Sequence, residues 1–252
     1  MNKKLKILMT IFFASLFVYS LVHIIFWFKD NKHTNNVIND IYENVIENSI
    51  EIDNSTKTKK EDKIINFDTL LKKNKDTKGW LEVKGTNINY PFVQSKDNKY
   101  YLTHSFDKKY TDAGWVFLDF RNNIDNPNKN TIIYGHARKD KTMFGTLKNT
   151  LKKDWYNNKE NQIIKMITPK YTLEYQVFST YHIKTEDYYI QTNFNSDKEF
   201  EKFLTTIKNR STHNYKVNLN KDDYILTLSS CYLENEKIVL HAKQIKKEIR
   251  DF

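Results

Sequence analysis

The sequence predicts a mainly β domain behind an N-terminal transmembrane helix, and three observations support this prediction. Residues 130–135, 224–231 and 237–243 are short runs rich in β-branched and apolar residues, which is typical of strands. Residues 7–28 contain no Asp, Glu, Lys or Arg and are long enough to cross a bilayer core. At 252 residues, the chain can hold one sizeable domain and an appendage.

The apolar segment 7–28 is expected to be an uncleaved membrane anchor. Lysines precede it at positions 3, 4 and 6, and it ends in three aromatic or apolar residues, 26–28, that suit the membrane interface. A signal peptide would have a shorter apolar region and a small-residue cleavage site. The positive charge before the span predicts a cytoplasmic N-terminus at residues 1–6 and an exported body, although Lys29 and Lys32 oppose that orientation.

Residues 29–65 are predicted to form a helical stalk and linker, followed by the main domain at 66–252. Apolar residues recur at helical spacing in the stalk, which favours one amphipathic helix packed on the domain: Val37, Ile38, Ile41, Val45 and Ile46. Residues 53–62 offer almost nothing to bury and are interpreted as a linker. Residues 67–73 are expected to form a short helix ahead of the first strands.

The second half of the chain predicts two more strands and two helices. A short helix is expected within 142–153, and residues 161–180 are interpreted as strands separated at Pro169. Ser196 and Glu199 have the spacing of a capping box, which predicts a helix start. The helix that follows has an apolar face that is expected to be buried: Phe200, Phe203, Leu204 and Ile207.

The composition argues against a nucleic-acid-binding protein. The net charge is +10, which ordinarily suggests an anionic partner. The lysines are scattered, however, and no basic cluster is interleaved with a reading motif. Abundant Asn, Lys, Ile and Tyr together are what an AT-rich genome would encode. We therefore expect no nucleic-acid partner.

Cys231 is the one cysteine in the chain, and it ends the strand-like run 224–231. A free cysteine is usually a small buried hydrophobe, and that interpretation stays open. A nucleophilic thiol needs an activating partner because the thiolate is the reactive form. His136 ends another strand-like run, 130–136, so two strands deliver the two halves of a Cys/His pair. The remaining histidines have ordinary interpretations, such as sheet-rim or surface residues for His104 and His241; the others are His23, His33, His182 and His213.

Ordered sequence blocks surround both members of this pair. The cysteine ends Thr-Leu-Ser-Ser-Cys at 227–231, and the histidine ends Ile-Ile-Tyr-Gly-His at 132–136. Further blocks lie at 74–81 (Asn-Lys-Asp-Thr-Lys-Gly-Trp-Leu), 90–94 (Tyr-Pro-Phe-Val-Gln), 97–102, 113–122 and 143–145 (Met-Phe-Gly). Together they resemble the class B sortases, membrane-anchored transpeptidases of Gram-positive bacteria with the signature Thr-Leu-x-Thr-Cys. The resemblance runs from about residue 66 to residue 243.

The resemblance implies a sortase-type closed β-barrel of about eight strands. It also implies N-terminal helices and a helix in the late strand connection that helps to wall the substrate groove. In the implied reaction, Cys231 attacks a peptide bond of a C-terminal sorting signal and His136 protonates the leaving amine. A cell-wall amine then takes the acyl group from the thioester.

The implied partners are a secreted protein with a sorting signal and a peptidoglycan precursor or cross-bridge amine. The implied location is the cell membrane, with a single pass and the catalytic domain outside the cell. No cofactor is expected, because the reaction needs none and the sequence offers no clustered set of metal ligands.

The third catalytic position departs from the family pattern. Sortases have an arginine on the strand after the cysteine, and alignment of that strand puts Lys237 at its position. A lysine supplies positive charge but lacks the planar fork of a guanidinium. Lys237 is the favoured candidate; the alternatives are an arginine from elsewhere, Arg138 or Arg121, and weak or absent activity.

Six residues match groove positions of class B sortases and are candidates for substrate binding: Asn98, Leu102, Thr185, Tyr189, Ile190 and Ser229. Each also has an ordinary interpretation as strand packing or surface polarity.

Two other functional classes remain open. A cysteine peptidase or cell-wall amidase would release its acyl group to water, but those folds commonly place the cysteine before the histidine. Here His136 comes before Cys231. A non-catalytic, membrane-tethered binding module derived from a sortase would account for Lys237. Thiol reactivity distinguishes such a module from an enzyme.

Overall fold

The computed structural model describes residues 2–53, 58–184, 186–233 and 236–250. Within those ranges, residues 47–53, 58–63 and 231–233 are described by their backbone alone. The mainly β prediction is confirmed, because the described domain is built on a closed barrel of strands, and an apolar helix precedes it.

Helix α1 spans Lys3–Val45 without a break. Among the described residues it is the one helix that is long and apolar enough to cross a membrane, and its apolar window is wholly exposed. Its C-terminal part packs on the domain, where Ile41 and Val45 are buried in the main core. The other residues of the predicted amphipathic face are partly buried against the same core: Val37, Ile38 and Ile46.

Polar contacts fasten α1 to the domain directly after the apolar segment. The Asp30 carboxylate accepts a hydrogen bond from the Thr111 hydroxyl. The Asn31 side-chain oxygen accepts one from the Arg138 guanidinium. The helix is therefore in contact with the domain within three residues of Phe28, where the apolar segment ends.

The chain after α1 forms a two-stranded hairpin, in which β1 (Ile46–Asp53) pairs antiparallel with β2 (Thr58–Ile65). The prediction of a linker over 53–62 is therefore wrong for its described residues, while 54–57 lie outside the description. Composition measures only what side chains can bury, and it misses pairing between backbone groups. The base of the hairpin is closed by a hydrogen bond from the Asn66 amide to the Val45 carbonyl at 3.0 Å.

The barrel contains eight strands of the described chain, in the closed order β10-β8-β7-β3-β4-β5-β6-β9. Most neighbours are antiparallel, but β4 pairs parallel with β5 and β6 pairs parallel with β9. The strands are β3 (Thr77–Val83), β4 (Asn89–Val93), β5 (Phe117–Leu118), β6 (Asn130–His136), β7 (Ile163–Ile167), β8 (Tyr171–Lys184), β9 (Ile225–Leu233) and β10 (Glu236–Ile249).

Within the described part of the domain, three α-helices lie outside the barrel strands: α2 (Phe67–Lys73), α3 (Lys153–Asn157) and α4 (Asp197–Asn209). Helix α2 lies where it was predicted. The helix expected within 142–153 is instead a 3₁₀ turn at Leu147–Leu151 followed by α3. The left-handed backbone at Lys141 (φ 69°) and Met143 (φ 48°) keeps a regular helix from starting earlier.

Helix α4 begins where the capping-box spacing predicted, with Ser196 as its N-cap, but Glu199 bonds the amide of the residue before the cap and not that of the cap itself. The Ser196 hydroxyl accepts a hydrogen bond from the Glu199 amide at 3.2 Å, and the Glu199 carboxylate accepts one from the Asn195 amide at 2.7 Å. All four predicted apolar residues are buried in a second core against β8, β9 and β10: Phe200, Phe203, Leu204 and Ile207. The helix therefore covers the outer face of these strands.

Candidate active site

Three neighbouring strands place the predicted catalytic positions side by side. In the parallel pair of β6 and β9, His136 is the register partner of Cys231. In the antiparallel pair of β9 and β10, Cys231 is the register partner of Lys237. Neighbouring strands lie about 4.8 Å apart, so the three residues form one row across the sheet.

The same face of the sheet carries the residues below this row. Side chains of a strand alternate between faces, so His136 shares its face with Tyr134, and Lys237 shares its face with Val239 and His241. Ser229 of β9 belongs to this face as well, because it is the register partner of Tyr134 and of Val239. The alternate residues of β9, such as Leu228, belong to the main core. The row therefore lies on the outer face of the barrel, beside the surface that α4 covers.

The β9–β10 hairpin is irregular next to the row. Its register shifts by one residue between Glu236, which pairs with Leu233, and Lys237, which pairs with Cys231. An inserted residue of this kind bends a strand and re-aims its side chains, and it occurs frequently beside active sites. Without the shift, the pairing of Glu236 with Leu233 would continue to Ile238 opposite Cys231; the shift brings Lys237 there instead.

The His136 ring is oriented by a backbone carbonyl. Its Nε2 lies 2.7 Å from the carbonyl oxygen of Leu102. Since a carbonyl oxygen only accepts, Nε2 carries a proton and donates it in this hydrogen bond. The other ring nitrogen, Nδ1, is then the atom left to gain or lose a proton.

Glycine is required immediately before this histidine. A Cβ on Gly135 would lie 2.8 Å from Cγ of Phe144, which packs beneath the strand. The His136 carbonyl also accepts from the Phe144 amide at 2.9 Å, which folds the following loop back onto the strand end. Gly135 therefore lets the histidine strand and the Phe144 ring come into close contact.

Both alternative arginines are engaged with other groups. Arg138 donates from Nε and Nη2 to Asp140 and from Nη2 to Asn31. Arg121 donates from Nε to Asp119 at 2.9 Å and from Nη2 to the same carboxylate at 2.7 Å. Lys237 differs from both because its backbone is the direct neighbour of Cys231.

Five of the six groove candidates lie around this row, and Thr185 lies outside the described residues. Leu102 contacts His136 through its carbonyl. On the other side, the Tyr189 hydroxyl is 2.9 Å from the Ser229 hydroxyl. The remaining two are linked through Asp119 and Arg121: Asn98 and Ile190.

Sequence reasoning missed Asp119, which is a centre of this site. Its side chain is fully buried, yet Asn98 and Tyr134 each donate to its Oδ2 at 2.9 Å, in addition to the two bonds from Arg121. Burial alone would raise the pKa of Asp119, but the hydrogen bonds from Arg121, Asn98 and Tyr134 outweigh it and hold the pKa below its ordinary value. The signal in the sequence was an acidic residue inside the otherwise apolar run 115–120.

His241 is a second correction, because the interpretation as a surface residue is wrong. It is fully buried, and its Nδ1 and Nε2 lie 2.8 Å from the Thr227 and Tyr181 hydroxyls. Thr227 donates its own proton to Asn130 Oδ1, so Nδ1 of His241 donates and Nε2 accepts. Burial lowers the pKa of His241 to about 3, which keeps the ring neutral.

Among the side chains that the structure describes, no group of three or more His, Cys, Asp or Glu residues could hold a metal ion.

Comparisons with known proteins agree on one family. A model described as a Sortase domain matches residues 81–245. Sortase B of Staphylococcus aureus is 42% identical over 184 residues, covering 71% of this chain and 75% of that protein. Sortase B of Listeria monocytogenes is 38% identical over 182 residues, covering 71% and 73%.

Solved structures give the same result. The Staphylococcus aureus sortase B–substrate complex superposes with a TM-score of 0.66 at 42% identity, covering 72% of this chain and 85% of that one. Sortase B from Bacillus anthracis in complex with AAEK1 superposes with a TM-score of 0.71 at 32% identity, covering 88% and 99%.

Proposed function

This chain belongs to the class B sortases, cysteine transpeptidases that attach proteins to the cell wall, and we propose that Cys231, His136 and Lys237 perform its reaction. The observation that supports this assignment most directly is the row of three register partners across β6, β9 and β10. The reaction requires a nucleophilic thiol and a group that gives and takes a proton, and a positive charge beside them stabilises the negative charge that develops.

In the proposed reaction, the Cys231 thiolate attacks the carbonyl carbon of one peptide bond in the sorting signal. The C–N bond of that peptide breaks as the C–S bond of the thioester forms, and His136 gives a proton to the departing amine. An amine of the cell wall then attacks the thioester carbonyl. His136 takes a proton from that amine, the new amide forms and the Cys231 thiolate leaves.

We assign the proton transfers to Nδ1 of His136. The hydrogen bond from Nε2 to the Leu102 carbonyl persists whether the ring is neutral or charged, because Nε2 carries a proton in both states. This contact also keeps the ring from rotating away from the strand end. The Leu102 carbonyl is thus a positioning group for the histidine.

Lys237 takes the position of the family arginine in this proposal. Its ammonium supplies positive charge beside Cys231, where negative charge develops on the thiolate and on the attacked carbonyl oxygen. A lysine does this as a compact charge without the geometry of a planar fork. Arginine at this position is therefore expected to work at least as well.

The substrate groove is proposed to run past the row between two walls. Asn98 and Leu102 form the first wall, beside His136. Tyr189 and Ile190 form the second wall, and Ser229 lies at the floor of the groove. Thr185 is proposed to belong to the second wall by its match to class B sortases.

Residues 7–28 are proposed to form a single-pass membrane anchor, with residues 1–6 in the cytoplasm and the catalytic domain outside. The exposed apolar window of α1 and the lysines before it support this topology. The proposed partners are a secreted protein with a sorting signal and an amine of a peptidoglycan precursor or cross-bridge.

The test is peptide cleavage by the full-length protein in detergent. Quenched fluorescent peptides with Pro-x-Thr sorting motifs are incubated with and without an amine acceptor, and the products are identified by mass. We expect an amine-linked product and a thioester on Cys231. Cys231→Ala and His136→Ala should abolish cleavage, while His213→Ala, whose ring contacts the distant Leu151 carbonyl, should leave it intact.

Lys237 is tested in the same assay with two substitutions. Lys237→Arg should cleave at the wild-type rate or faster. Lys237→Met should lower kcat by about a hundredfold or more, the scale of removing one group that stabilises a developing charge. Lys243→Arg on the same strand is the matched control. A Lys237→Met variant as active as wild type would contradict the role of Lys237. A hydrolysed peptide with a free carboxylate as the product, even when the amine acceptor is present, would contradict transpeptidation.

A further inference from the structure

We infer that Arg121, held by the buried Asp119, positions both walls of the substrate groove and thereby controls how tightly the sorting signal binds. The inference rests on the proposed function, because it concerns the groove assigned there. Arg121 acts as a positioning residue, since its side chain donates to Asp119 and to the backbone of the second wall.

The first step is the anchoring of Arg121 itself. The Asp119 carboxylate has no exposed surface, and Oδ1 accepts from both the amide and Nε of Arg121 at 2.9 Å. Oδ2 accepts from Nη2 at 2.7 Å. The paired bonds between guanidinium and carboxylate fix the plane of the arginine, which is the geometry that a lysine cannot reproduce.

The second step is the link to the wall at Tyr188–Ile190. The same Nη2 of Arg121 donates to the Ile190 carbonyl at 2.9 Å. The carbonyls on either side of it, those of Tyr189 and Gln191, accept from the Asn130 side chain at 3.1 and 2.8 Å. Three consecutive carbonyls of this wall are therefore held by side chains from β6 and from the loop after β5.

The third step is the link to the opposite wall. Asn98 donates from Nδ2 to Asp119 Oδ2 at 2.9 Å and accepts at Oδ1 from the Phe120 amide at 3.0 Å. Both ends of the Asn98 amide are thus fixed by the segment that carries Arg121. The two walls have one common support, and a change at Arg121 reaches both.

This support lies directly beside the reacting row. Tyr134, one alternation before His136 on β6, donates to Asp119 Oδ2 at 2.9 Å. Its register partner on β9 is Ser229, whose hydroxyl contacts the Tyr189 hydroxyl. The support therefore sets the spacing between the walls at the place where the sorting signal would cross the strand ends, and it leaves the row itself unchanged.

The test compares Arg121→Gln and Arg121→Lys with a matched control in the full-length protein. The control is Arg210→Gln, because Arg210 is a similarly exposed arginine that pairs with Glu186 and stacks on Tyr188 in the same wall, without crossing to the other one. For each variant, kcat and KM for a cleaved sorting peptide, the alkylation rate of Cys231 and the unfolding temperature are measured.

We expect both Arg121 variants to raise KM by between about tenfold and about a hundredfold, the scale of losing one hydrogen bond to a charged group. Cys231 alkylation should stay within about twofold of wild type, since the reacting row is intact. In a Cys231→Ala background, Arg121→Gln should weaken equilibrium binding of the same peptide by a similar factor. Arg210→Gln should change neither quantity.

Three results would overturn the inference. The first is an Arg121→Gln variant with wild-type KM and peptide affinity. The second is full recovery by Arg121→Lys, which would mean that charge alone suffices. The third is a fall in unfolding temperature and alkylation rate with KM unchanged, which is the pattern of a structural role. Failure of the proposed function has a different signature, because the wild type would then neither cut nor bind the peptides.

Discussion

Acidification should destabilise this protein through His241. The folded ring is neutral, with its pKa lowered to about 3 by burial, and its two nitrogens are already committed as one donor and one acceptor. In the unfolded chain the same ring has an ordinary pKa of about 6.5. Between these values the unfolded state binds the extra proton, so the stability is complete above about pH 6.5 and is lost as the pH falls.

The expected size follows from that difference in pKa. A pH of 5.0 lies about 1.5 units below the pKa of the unfolded ring, whereas the folded ring is still neutral at that pH. Each unit corresponds to about 1.36 kcal/mol, so the free energy of unfolding should fall by about 2 kcal/mol between pH 7.5 and pH 5.0. Asp119 adds to the loss only at lower pH, because its folded pKa is below its ordinary value and its contribution disappears as the pH falls through it.

The assay is urea unfolding of the soluble chain from Asp30 onward at pH 7.5 and pH 5.0, followed by tryptophan fluorescence. Wild type is compared with His241→Gln, in which the side chain at position 241 does not titrate. All other titrating groups are shared, so wild type should lose about 2 kcal/mol more than the variant between the two pH values. Equal losses in the two proteins would refute the neutral, buried state of His241.

Three further substitutions test the close contact beside His136 and the attachment of helix α4. Gly135→Ala should lower both stability and peptide cleavage, because the new Cβ meets the Phe144 ring at 2.8 Å, and combining it with Phe144→Leu should restore part of the loss; an unimpaired single variant would contradict the close contact. Ser196→Ala should cost about 1 kcal/mol in urea unfolding by removing the cap of α4, whereas Thr205→Ala, in the same helix, should cost almost nothing; equal costs would argue against the cap. Phe200→Ala should cost about 3–5 kcal/mol, since the ring is 2% exposed, and a loss below about 1 kcal/mol would mean that α4 does not close the second core.

The strands that contain His136 and Cys231 were predictable because their composition is local information, although β9 runs two residues past Cys231 to Leu233. The run before His136 gives β6 with the predicted bounds, and the capping box gives the start of α4. The pairing between strands was not predictable from the residues alone. His136 and Cys231 are 95 positions apart, and no local pattern specifies that β6 lies parallel to β9 with these two residues in register.

The misinterpretation of His241 has a related cause. Its strand alternates between Ile238 or Leu240 on the core side and Val239 or His241 on the other side, which by itself resembles a half-exposed strand. The outer side is buried only because α4 and the segment around Tyr189 cover it. Burial on that side depends on tertiary packing, which the sequence of β10 does not record.

Helix α1 continues without a break from its apolar segment to the residues that contact the barrel domain. An α-helix rises 1.5 Å per residue, so only about 3 Å of axis separates Phe28 from Asp30, which already contacts Thr111. If residues 7–28 span the bilayer, the catalytic domain is attached directly to a continuous helix. The loop that follows His136 is bonded to that helix through Arg138. In that arrangement the candidate active site stays at a fixed distance from the membrane surface, close to the lipid headgroups. It can diffuse within the plane of the membrane, but a substrate has to bring its cleavage site down to that height.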